Sequence, residues 1–295
     1  MTAIERRAGD LRLVVLPELG ACVARFDFVR SDGVAPLFRP CDEASTLACF
    51  VLCPFSNRIS GGGFEAGNRF WPLAPNLADE PYPIHGDAWQ KCWSVVETSE
   101  TALDLVLESG SMPPFAYRAQ LRYELDDRAL GARLTVQHLG QVTVPYGLGF
   151  HPWLPRTPAM TLQAAAGAVW LERPDHLPDR CVPIDERPEW DFRAPRPLPD
   201  SWINNGFIGW NGRAQIAWPE HGCGLDIEAS DALGTYVLYS PSAAADFFCF
   251  EPVSHAVDAF HLPGGPQAHG LRLLQPGALF AIQCRFVVTE KAQAS

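Results

Sequence analysis

The chain has 295 residues and a formal net charge of −11 at pH 7, and 47% of its residues are hydrophobic. A chain of this length and composition buries a sizeable core without disulfides or metal, which excludes an intrinsically disordered protein. The acidic balance argues against nucleic acid or an anionic membrane as a partner. Lys91 and Lys291 are the only lysines, against 21 arginines, so chemistry through a Schiff-base lysine has little support.

Cysteine usage and the N-terminus bear on the cellular compartment. The nine cysteines are an odd number spread along the chain, and most lie in apolar runs where a free thiol packs as a small hydrophobe. Cys49 and Cys53 form the closest pair, but they lack a second pair and the CxxC spacing of metal and redox motifs. No secretory leader opens the sequence and no run reaches membrane-spanning length. We therefore expect a soluble, cytoplasmic protein without a metal site.

Apolar and polar residues alternate with period two through most of the chain. Residues 11–30 predict two strands around a Pro-Glu-Leu-Gly turn, and residues 116–138 predict a long antiparallel hairpin with one dry and one wet face. The pattern returns at 103–107 and 280–286, and no window of a dozen residues carries a convincing helical stripe. The sequence therefore predicts an all-β fold, a large antiparallel β-sandwich, as a single domain over residues 1–295.

Two stretches interrupt the alternation. Residues 54–92 contain Gly61-Gly62-Gly63 and five prolines, and residues 172–201 are dense in Pro, Asp and Arg. Long loops in a compact β domain are usually functional or disordered. The Trp, Phe, Asn and His content of the first stretch predicts an ordered binding loop. The polar composition of the second predicts a surface excursion.

Three short segments place an ionisable side chain in an apolar, aromatic setting. Glu251 lies within Phe-Phe-Cys-Phe-Glu-Pro, where partial desolvation raises a carboxyl pKa toward the range of a general base. A strand-end Glu paired with an Arg is the equally weighted alternative. His151 precedes Pro152, and His85 precedes Gly86. Each histidine is either a proton carrier near neutral pH or a buried structural residue.

Several cofactor and nucleophile motifs are absent from the sequence. It contains no HExxH or EF-hand pattern, and the histidines lack ligand spacing. It contains no GxGxxG, no GxxxxGK[ST] and no GxSxG elbow. Two histidines, one glutamate and an arginine near aromatic residues remain. That set suits proton transfer on a small polar ligand without a cofactor.

Three blocks of residues occur in a fixed order along nearly the whole chain. They are Asn57-Arg58-Ile59 with Gly62-Gly63-Phe64, Trp71-Pro72-Leu73, Asn76 and Ile84-His85-Gly86; then Gly149-Phe150-His151-Pro152-Trp153; then Phe250-Glu251-Pro252 followed by Asp258-Ala259. These blocks resemble the motifs of the aldose 1-epimerases (galactose mutarotases), and the early block is quite specific. The fold of that family is a large antiparallel β-sandwich.

The resemblance implies a mechanism and a set of roles. Glu251 would take the proton from the C1 hydroxyl of an aldose while His151 protonates the ring oxygen, so that the ring opens, rotates about C1–C2 and closes as the other anomer. His85 and Arg58 would hold ring hydroxyls and steady the ring oxygen. Asn76 would be a further substrate contact or a loop brace. The implied partner is a monosaccharide, and no cofactor is implied.

One position departs from the family pattern. Many members carry a substrate-binding Asp before an aromatic residue between the second His and the Glu, and here the stretch reads Ile203-Asn204-Asn205-Gly206-Phe207. Asn204 takes the place of that Asp and can still accept a hydrogen bond from a sugar hydroxyl, but with one uncharged oxygen. Asp200 would substitute only in a different register. The resemblance therefore implies that Asn204 binds substrate with altered hydroxyl specificity or weakened activity.

Three functions follow from these observations. The leading one interconverts the anomers of a free hexose or related aldose. A hexose-phosphate 1-epimerase needs basic residues at the pocket rim; Arg58, Arg69 and the arginines of 172–201 are candidates, against a net charge of −11. A sugar-binding or sensing module without turnover is the non-enzymatic alternative, and Asn204 keeps it open. The preferred sugar, and the choice between monomer and homodimer, stay open.

Overall fold

The computed structural model describes residues 2–40 and 48–290, and most of these residues form β-strands. Period-two alternation favours strands because it places apolar side chains on one face and polar side chains on the other. The strands are β1 (Ile4–Ala8), β2 (Leu11–Leu16), β3 (Cys22–Arg30), β4 (Gly33–Pro36), β5 (Cys49–Leu52), β6 (Gly63–Ala66), β7 (Arg69–Pro72), β8 (Ser94–Thr98), β9 (Ala102–Met112), β10 (Phe115–Leu125), β11 (Ala129–His138), β12 (Val144–Tyr146), β13 (Gly149–Pro155), β14 (Thr161–Ala164), β15 (Ala168–Glu172), β16 (Pro178–Pro183), β17 (Ile203–Ile208), β18 (Arg213–Trp218), β19 (Cys223–Ala229), β20 (Thr235–Ser240), β21 (Phe247–Val253), β22 (Arg272–Leu274) and β23 (Leu279–Glu290).

Helical structure within the two described ranges is confined to short 3-10 turns, with no α-helix. No helix there is long and apolar enough to cross a membrane. The turns are Ala88–Gln90, Ile184–Glu186, Pro188–Trp190, Pro219–His221 and Pro266–His269.

Two antiparallel sheets make up the body of the fold. The larger has eleven strands: ten follow the order β1-β2-β3-β5-β13-β21-β20-β17-β15-β16, and β4 pairs with β3. The smaller has eight strands in the order β14-β18-β19-β23-β11-β10-β9-β8, and β12–β22 and β6–β7 form two-stranded sheets. Neighbouring strands in these described sheets run antiparallel. The prediction of an all-β antiparallel sandwich is confirmed.

The two hairpins expected from alternation are both present. β2 pairs with β3 across the turn after Leu16, and β10 pairs with β11. Along β10 the odd-numbered residues from Phe115 to Leu125 are all buried, whereas the even-numbered ones are partly or fully exposed. Each strand of this kind therefore presents one apolar face to the core, as its sequence period requires.

The main core lies between the two sheets. Two buried side-chain hydrogen bonds join the layers: the Tyr123 hydroxyl donates to the carbonyl of Ala21 at 3.1 Å, and the Trp218 indole N–H donates to the carbonyl of Pro155 at 2.9 Å. Full burial of large apolar side chains contributes about 1.5–3 kcal/mol each. The apolar inner faces of both sheets therefore hold the layers together.

A second, smaller apolar cluster lies on the opposite face of the larger sheet, here called the outer face. Its buried members are Cys22, Phe50, Leu52, Val237 and Val253. They come from β3, β5, β20 and β21, and alternate along those strands with residues of the main core. The larger sheet is therefore covered on both sides in its middle, and its outer face offers an apolar floor.

The two interruptions in the alternation have different outcomes. Residues 54–92 are ordered and reach the outer face, where Trp89 packs against the second cluster. The prediction of a surface excursion at 172–201 is partly wrong, because β16 adds an edge strand to the larger sheet. In addition, Trp190 and Phe192 are buried, and both contact the ring of Phe207. Burial of these two aromatic rings therefore holds this part of the segment against the core, although the residues around them are polar.

Candidate active site

The two acid–base candidates face each other across neighbouring strands. Gly149 of β13 pairs with Val253 of β21, and counting two residues along each strand places His151 opposite Glu251. Residues paired in this way share a face of the sheet, and here it is the outer face. The Nε2 atom of His151 lies 3.2 Å from Oε1 of Glu251.

Burial governs the protonation of this pair. His151 is 7% exposed and Glu251 is 3% exposed. Burial raises the pKa of Glu251 to about 8, and the Arg58 guanidinium opposes that rise to a smaller extent. Burial lowers the pKa of His151 to about 3. Both shifts favour the neutral form of each group. Between these two pH values the pair therefore carries one exchangeable proton, which burial places on Glu251.

Aromatic rings fix the orientation of the His151 imidazole. Phe50 of β5 pairs with His151 in the ladder and stacks on its ring, with centroids 4.4 Å apart. Trp153 also stacks on His151, at 5.9 Å and an interplanar angle of 21°. The ring is thus held between two aromatic neighbours. Sequence reasoning missed Phe50, because its contact with His151 depends on β5 and β13 being neighbours.

The second motif histidine lies against the first. The rings of His85 and His151 meet edge to face, with centroids 5.1 Å apart. The backbone N–H of Asn57 donates to Nδ1 of His85 at 3.0 Å, so a neutral His85 carries its proton on Nε2. Burial, and after it the charges of His151 and Arg58, lower the pKa of His85 well below its ordinary value. His85 is therefore suited to donate a hydrogen bond from Nε2.

The turn that carries His85 needs a glycine beside it. His85 and Gly86 both have positive φ, 61° and 66°, a backbone region that glycine adopts at no steric cost. A Cβ atom at Gly86 would lie 2.1 Å from the carbonyl oxygen of Cys53. The Ile-His-Gly motif therefore has a local physical reason: only glycine lets the turn pack against β5.

The Arg58 guanidinium is clamped by a carboxylate. Its Nε and Nη2 donate to the two oxygens of Glu80 at 2.8 and 2.7 Å, and Nη1 donates to Oδ1 of Asn57 at 3.3 Å. The Arg58 and Glu80 side chains are 12% and 13% exposed. This bidentate geometry fixes a positive charge near Glu251 and His85. Sequence reasoning missed Glu80, because no motif marks this acidic residue of a proline-rich loop as a partner of Arg58.

Asn76 is a loop brace in this structure. Its Nδ2 donates to the carbonyls of Ile84 and Gly86 at 2.9 and 2.8 Å, and its Oδ1 accepts from the N–H of Ile84 at 2.7 Å. The amide is therefore engaged on both sides by the backbone around His85. Of the two roles expected from the resemblance, these contacts support the brace and not a substrate contact.

The third motif anchors the same loop from the other side. Ser60 donates its backbone N–H and its hydroxyl to the Asp258 carboxyl, at 2.9 and 2.7 Å. The backbone N–H of Ser56 donates to Nε2 of His255 at 2.9 Å, and both residues are buried. The part of the loop that carries Arg58 is thus tied to the segment that follows Glu251.

Asn204 lies on the outer face as well, two strands away from Glu251. Val237 of β20 pairs with Glu251 on one side and with Gly206 of β17 on the other, and Asn204 is two residues from Gly206. The Nδ2 atom of Asn204 donates to Oε1 of Glu172, on β15, at 2.5 Å. Sequence reasoning missed Glu172, which no motif marks.

Asp200 does not take the place of Asn204. Its side chain is 91% exposed and lies 3.7 Å from the Arg156 guanidinium, whereas Asn204 shares the face of the acid–base pair. The alternative register considered from the sequence is therefore wrong.

Four of the buried polar atoms without a partner on another residue lie on the outer face. Within residues 2–40 and 48–290 they are Oε2 of Glu251, Nδ1 of His151, and the indole nitrogens of Trp153 and Trp170. Buried polar groups ordinarily have hydrogen-bond partners. A shallow depression, lined by residues that include Trp170, Glu172, Asn204 and Gly206, adjoins this region. Together these features mark the face as a site for a small polar ligand.

One group in the described part of the chain has the side chains of a metal site. Ligand atoms of His151, Cys249 and Glu251 lie within 4.8 Å of one another, and zinc binds all three kinds of group. Burial, and after it the Glu251 carboxylate, raise the pKa of the Cys249 thiol well above its ordinary value. A metal ligand must be the thiolate. Burial thus favours the neutral thiol form of Cys249 beside the pair.

Comparison with known proteins identifies related sequences. The family model for aldose 1-epimerases matches residues 3–286. The uncharacterised protein YphB of Escherichia coli K12 is 38% identical over 240 residues, covering 78% of this chain and 82% of its own. The uncharacterised protein YihR of the same organism is 29% identical over 263 residues, covering 86% and 84%.

Solved structures show the same architecture. A candidate aldose 1-epimerase from Escherichia coli K12 superposes with a TM-score of 0.89 at 34% identity, covering 98% of this chain and 99% of its own. A galactose mutarotase-like protein from Clostridium acetobutylicum superposes with a TM-score of 0.82 at 17% identity, covering 98% and 95%. The second likeness concerns the fold alone.

Proposed function

Because this chain belongs to the aldose 1-epimerase family, we propose that it interconverts the α and β anomers of a free hexose or a related aldose. One observation supports this most: the 3.2 Å contact between His151 Nε2 and Glu251 Oε1 on a buried face. In an aldose the ring oxygen and the anomeric hydroxyl are bonded to the same carbon, C1. Ring opening therefore needs an acid and a base side by side, which this pair provides.

A single shared proton accounts for both directions of the reaction. Glu251 removes the proton of the C1 hydroxyl while His151 protonates the ring oxygen, so the proton must lie on His151 before the ring opens. Burial alone favours it on Glu251. Sugar hydroxyls that donate to Glu251, together with Arg58, stabilise the carboxylate and favour transfer of the proton to the imidazole. On ring closure Glu251 returns its proton to the oxygen on C1 while His151 takes the proton of the hydroxyl that becomes the ring oxygen, so the pair regains its starting state.

The remaining residues have binding roles in this proposal. His85 donates from Nε2 to a sugar oxygen, and Arg58, fixed by Glu80, faces the ring oxygen and its neighbours. Asn204 accepts from a hydroxyl at the far side of the ring. Asn76 acts through the turn that it braces. Fixed donors and acceptors around C1 lower the cost of orienting the sugar.

Several of the arginines considered for a phosphorylated substrate have other partners. Arg58 is paired with Glu80, Arg69 stacks on Trp71 at 4.3 Å, and Arg173 pairs with Asp175 at 2.8 Å. A phosphate group would have to compete with these interactions. The geometry therefore favours a neutral sugar over a hexose 6-phosphate.

The function can be tested by following anomer exchange in freshly dissolved α-glucose, α-galactose and other aldoses, by polarimetry or by NMR exchange. We expect the protein to accelerate exchange for at least one neutral sugar, and more than for glucose 6-phosphate. Exchange no faster than in buffer across the panel would overturn the proposal. Sugar binding by calorimetry without exchange would instead establish the non-catalytic sugar-binding module.

A further inference from the structure

We propose that Glu172 is a positioning residue that turns the Asn204 amide so that its oxygen, and not its nitrogen, faces the substrate. The inference rests on the proposed function, since it assigns the way in which this site reads one sugar hydroxyl. It makes Asn204 a fixed acceptor for a hydroxyl donor at the end of the sugar remote from C1.

Three donors converge on the Glu172 carboxyl group. Oε1 accepts from Asn204 Nδ2 and from His176 Nδ1, each at 2.5 Å, and Oε2 accepts from the indole N–H of Trp202 at 2.8 Å. The Glu172 side chain is 14% exposed. His176 also stacks on Trp202, with centroids 5.8 Å apart. The carboxyl group is thus held from three sides and has little freedom to turn.

The carboxylate determines which end of the Asn204 amide faces it. An ionised carboxyl group only accepts hydrogen bonds, and an amide carries donors on nitrogen alone. The nitrogen of Asn204 must therefore face Glu172, and the carbonyl oxygen must point the other way. Within residues 2–40 and 48–290, the backbone and side-chain contacts of Asn204 leave Oδ1 without a protein donor.

The position of that oxygen suits a ligand. Asn204 shares the outer face with the catalytic pair, and it lines the same depression as Glu172 and Gly206. A Cβ atom added to Gly206 would meet no atom within 4 Å, so the space beside Asn204 is open. A sugar with C1 at Glu251 would extend across this floor toward the amide oxygen.

The same contact explains why an aspartate would be unfavourable at position 204 in this chain. A second carboxylate 2.5 Å from Glu172 Oε1 would replace a charge-assisted hydrogen bond with repulsion between like charges. The neutral amide keeps an acceptor facing the sugar and provides a donor for Glu172. Asn204 and Glu172 therefore act together, and a substitution of either residue alone should weaken substrate binding.

The test is a double-mutant cycle of wild type, N204D, E172Q and the N204D/E172Q double variant, with KM and kcat measured on the best aldose. N204D should raise KM at least tenfold, and E172Q should raise it about threefold by releasing the amide. In the double variant a glutamine nitrogen can donate to the new carboxylate, so KM should return to within about threefold of wild type. Because only binding is altered, kcat should change less than KM in all variants.

Two controls separate positioning from damage to the fold. Asp175→Asn changes an exposed carboxylate in the same segment and should leave KM and kcat unchanged. In the wild type the Asn204 side-chain amide should give a strongly deshielded proton in the NMR spectrum, and E172Q should remove that shift. Thermal unfolding of all variants identifies any loss that comes from unfolding.

The outcomes distinguish this inference from the proposed function. Turnover by the wild type with additive KM effects, or with N204D as active as wild type, overturns the inference and leaves the function standing. No turnover and no sugar binding by the wild type overturn both. An unshifted Asn204 amide proton overturns the inference whatever the activity. Rescue of KM in the double variant supports it.

Discussion

The polar groups at the two ends of the outer face differ in how many hydrogen-bond partners they have. Glu251 and His151 touch each other, and each leaves a buried polar atom without a partner on another residue. Three strands away, Glu172 accepts hydrogen bonds from three side chains, one of them from Asn204. The first end is buried and has few hydrogen-bond partners, whereas the second is partly open to solvent and densely hydrogen bonded.

This difference separates chemistry from recognition. Burial without partners displaces pKa values, which a proton-transferring pair needs and a binding contact does not. Dense hydrogen bonding instead fixes the direction of donors and acceptors, which discriminates among sugars but moves no proton. Variants at the first end should therefore change kcat and pH dependence, and variants at the second end should change KM.

The largest expected effect comes from removing the acid or the base. Glu251→Gln and His151→Asn should each lower kcat by about 10²–10⁴, the usual worth of one positioned proton transfer. Glu251→Gln keeps the size of the side chain, and His151→Asn places a smaller polar side chain at the same position, so the fold should survive. Anomer-exchange kinetics with circular dichroism as the folding control provides the measurement. Normal turnover by a folded variant would contradict the assigned role.

The same Glu251→Gln variant should be more stable than wild type at alkaline pH. The pKa of Glu251 is raised from 4.5 to about 8, so between these values the folded state binds more protons than the unfolded state. Stability of the wild type therefore falls as pH rises through this window. Glutamine has no such dependence, and its advantage in free energy of unfolding should grow by about 3–5 kcal/mol between pH 4 and pH 9. Denaturant unfolding at both pH values measures it; a constant difference would exclude a buried, pKa-shifted carboxyl.

The pH dependence of turnover should also report the shared proton. Above the Glu251 pKa of about 8 the pair loses its proton and His151 cannot act as an acid. Below the His151 pKa of about 3 both groups are protonated and no base remains. The kcat/KM profile should therefore be bell-shaped, falling about tenfold per pH unit beyond each limb. A limb near pH 6.5 instead would indicate an exposed histidine as the acid.

The smallest expected effect tests the recognition end alone. A side chain at Gly206 would project into open space on the outer face, so Gly206→Leu should raise KM roughly tenfold with little change in kcat, in the range that steric pocket changes usually produce. Gly206→Ala should have a smaller effect. Michaelis–Menten kinetics on one sugar distinguishes this from a fall in kcat, which would show that the two ends are not independent.

Whether a contact could be predicted depends on how close its residues are in sequence. Alternation predicted the hairpin of β10 and β11, since adjacent strands joined by a tight turn need no long-range information. The motif residues Glu251, His151 and His85 do come together in space. Phe50, Glu80 and Glu172 were missed, because their contacts arise between segments distant in sequence.

The role of Asn76 shows a further limit of sequence reasoning. A motif position indicates that an amide is needed but not which atoms it serves. The hydrogen bonds to Ile84 and Gly86 are visible only once the loop is folded. The excursion at 172–201 was misjudged for a related reason: composition averages over a segment, whereas the burial of Trp190 and Phe192 depends on their contacts with Phe207 of β17.

The bonds from Ser60 to Asp258 have a consequence for how a sugar reaches the site. They tie the loop of Arg58 to the segment after Glu251, so this loop is poorly suited to swing aside as a gate. We expect the sugar to enter from the open Asn204 end with its reducing end leading. Extensions at the opposite end of the sugar would then trail into solvent, and a substituent on O1 would be stopped at the buried pair. The rate at which the sugar binds should accordingly be limited by diffusion and by its orientation on entry, with no slow opening step of the protein.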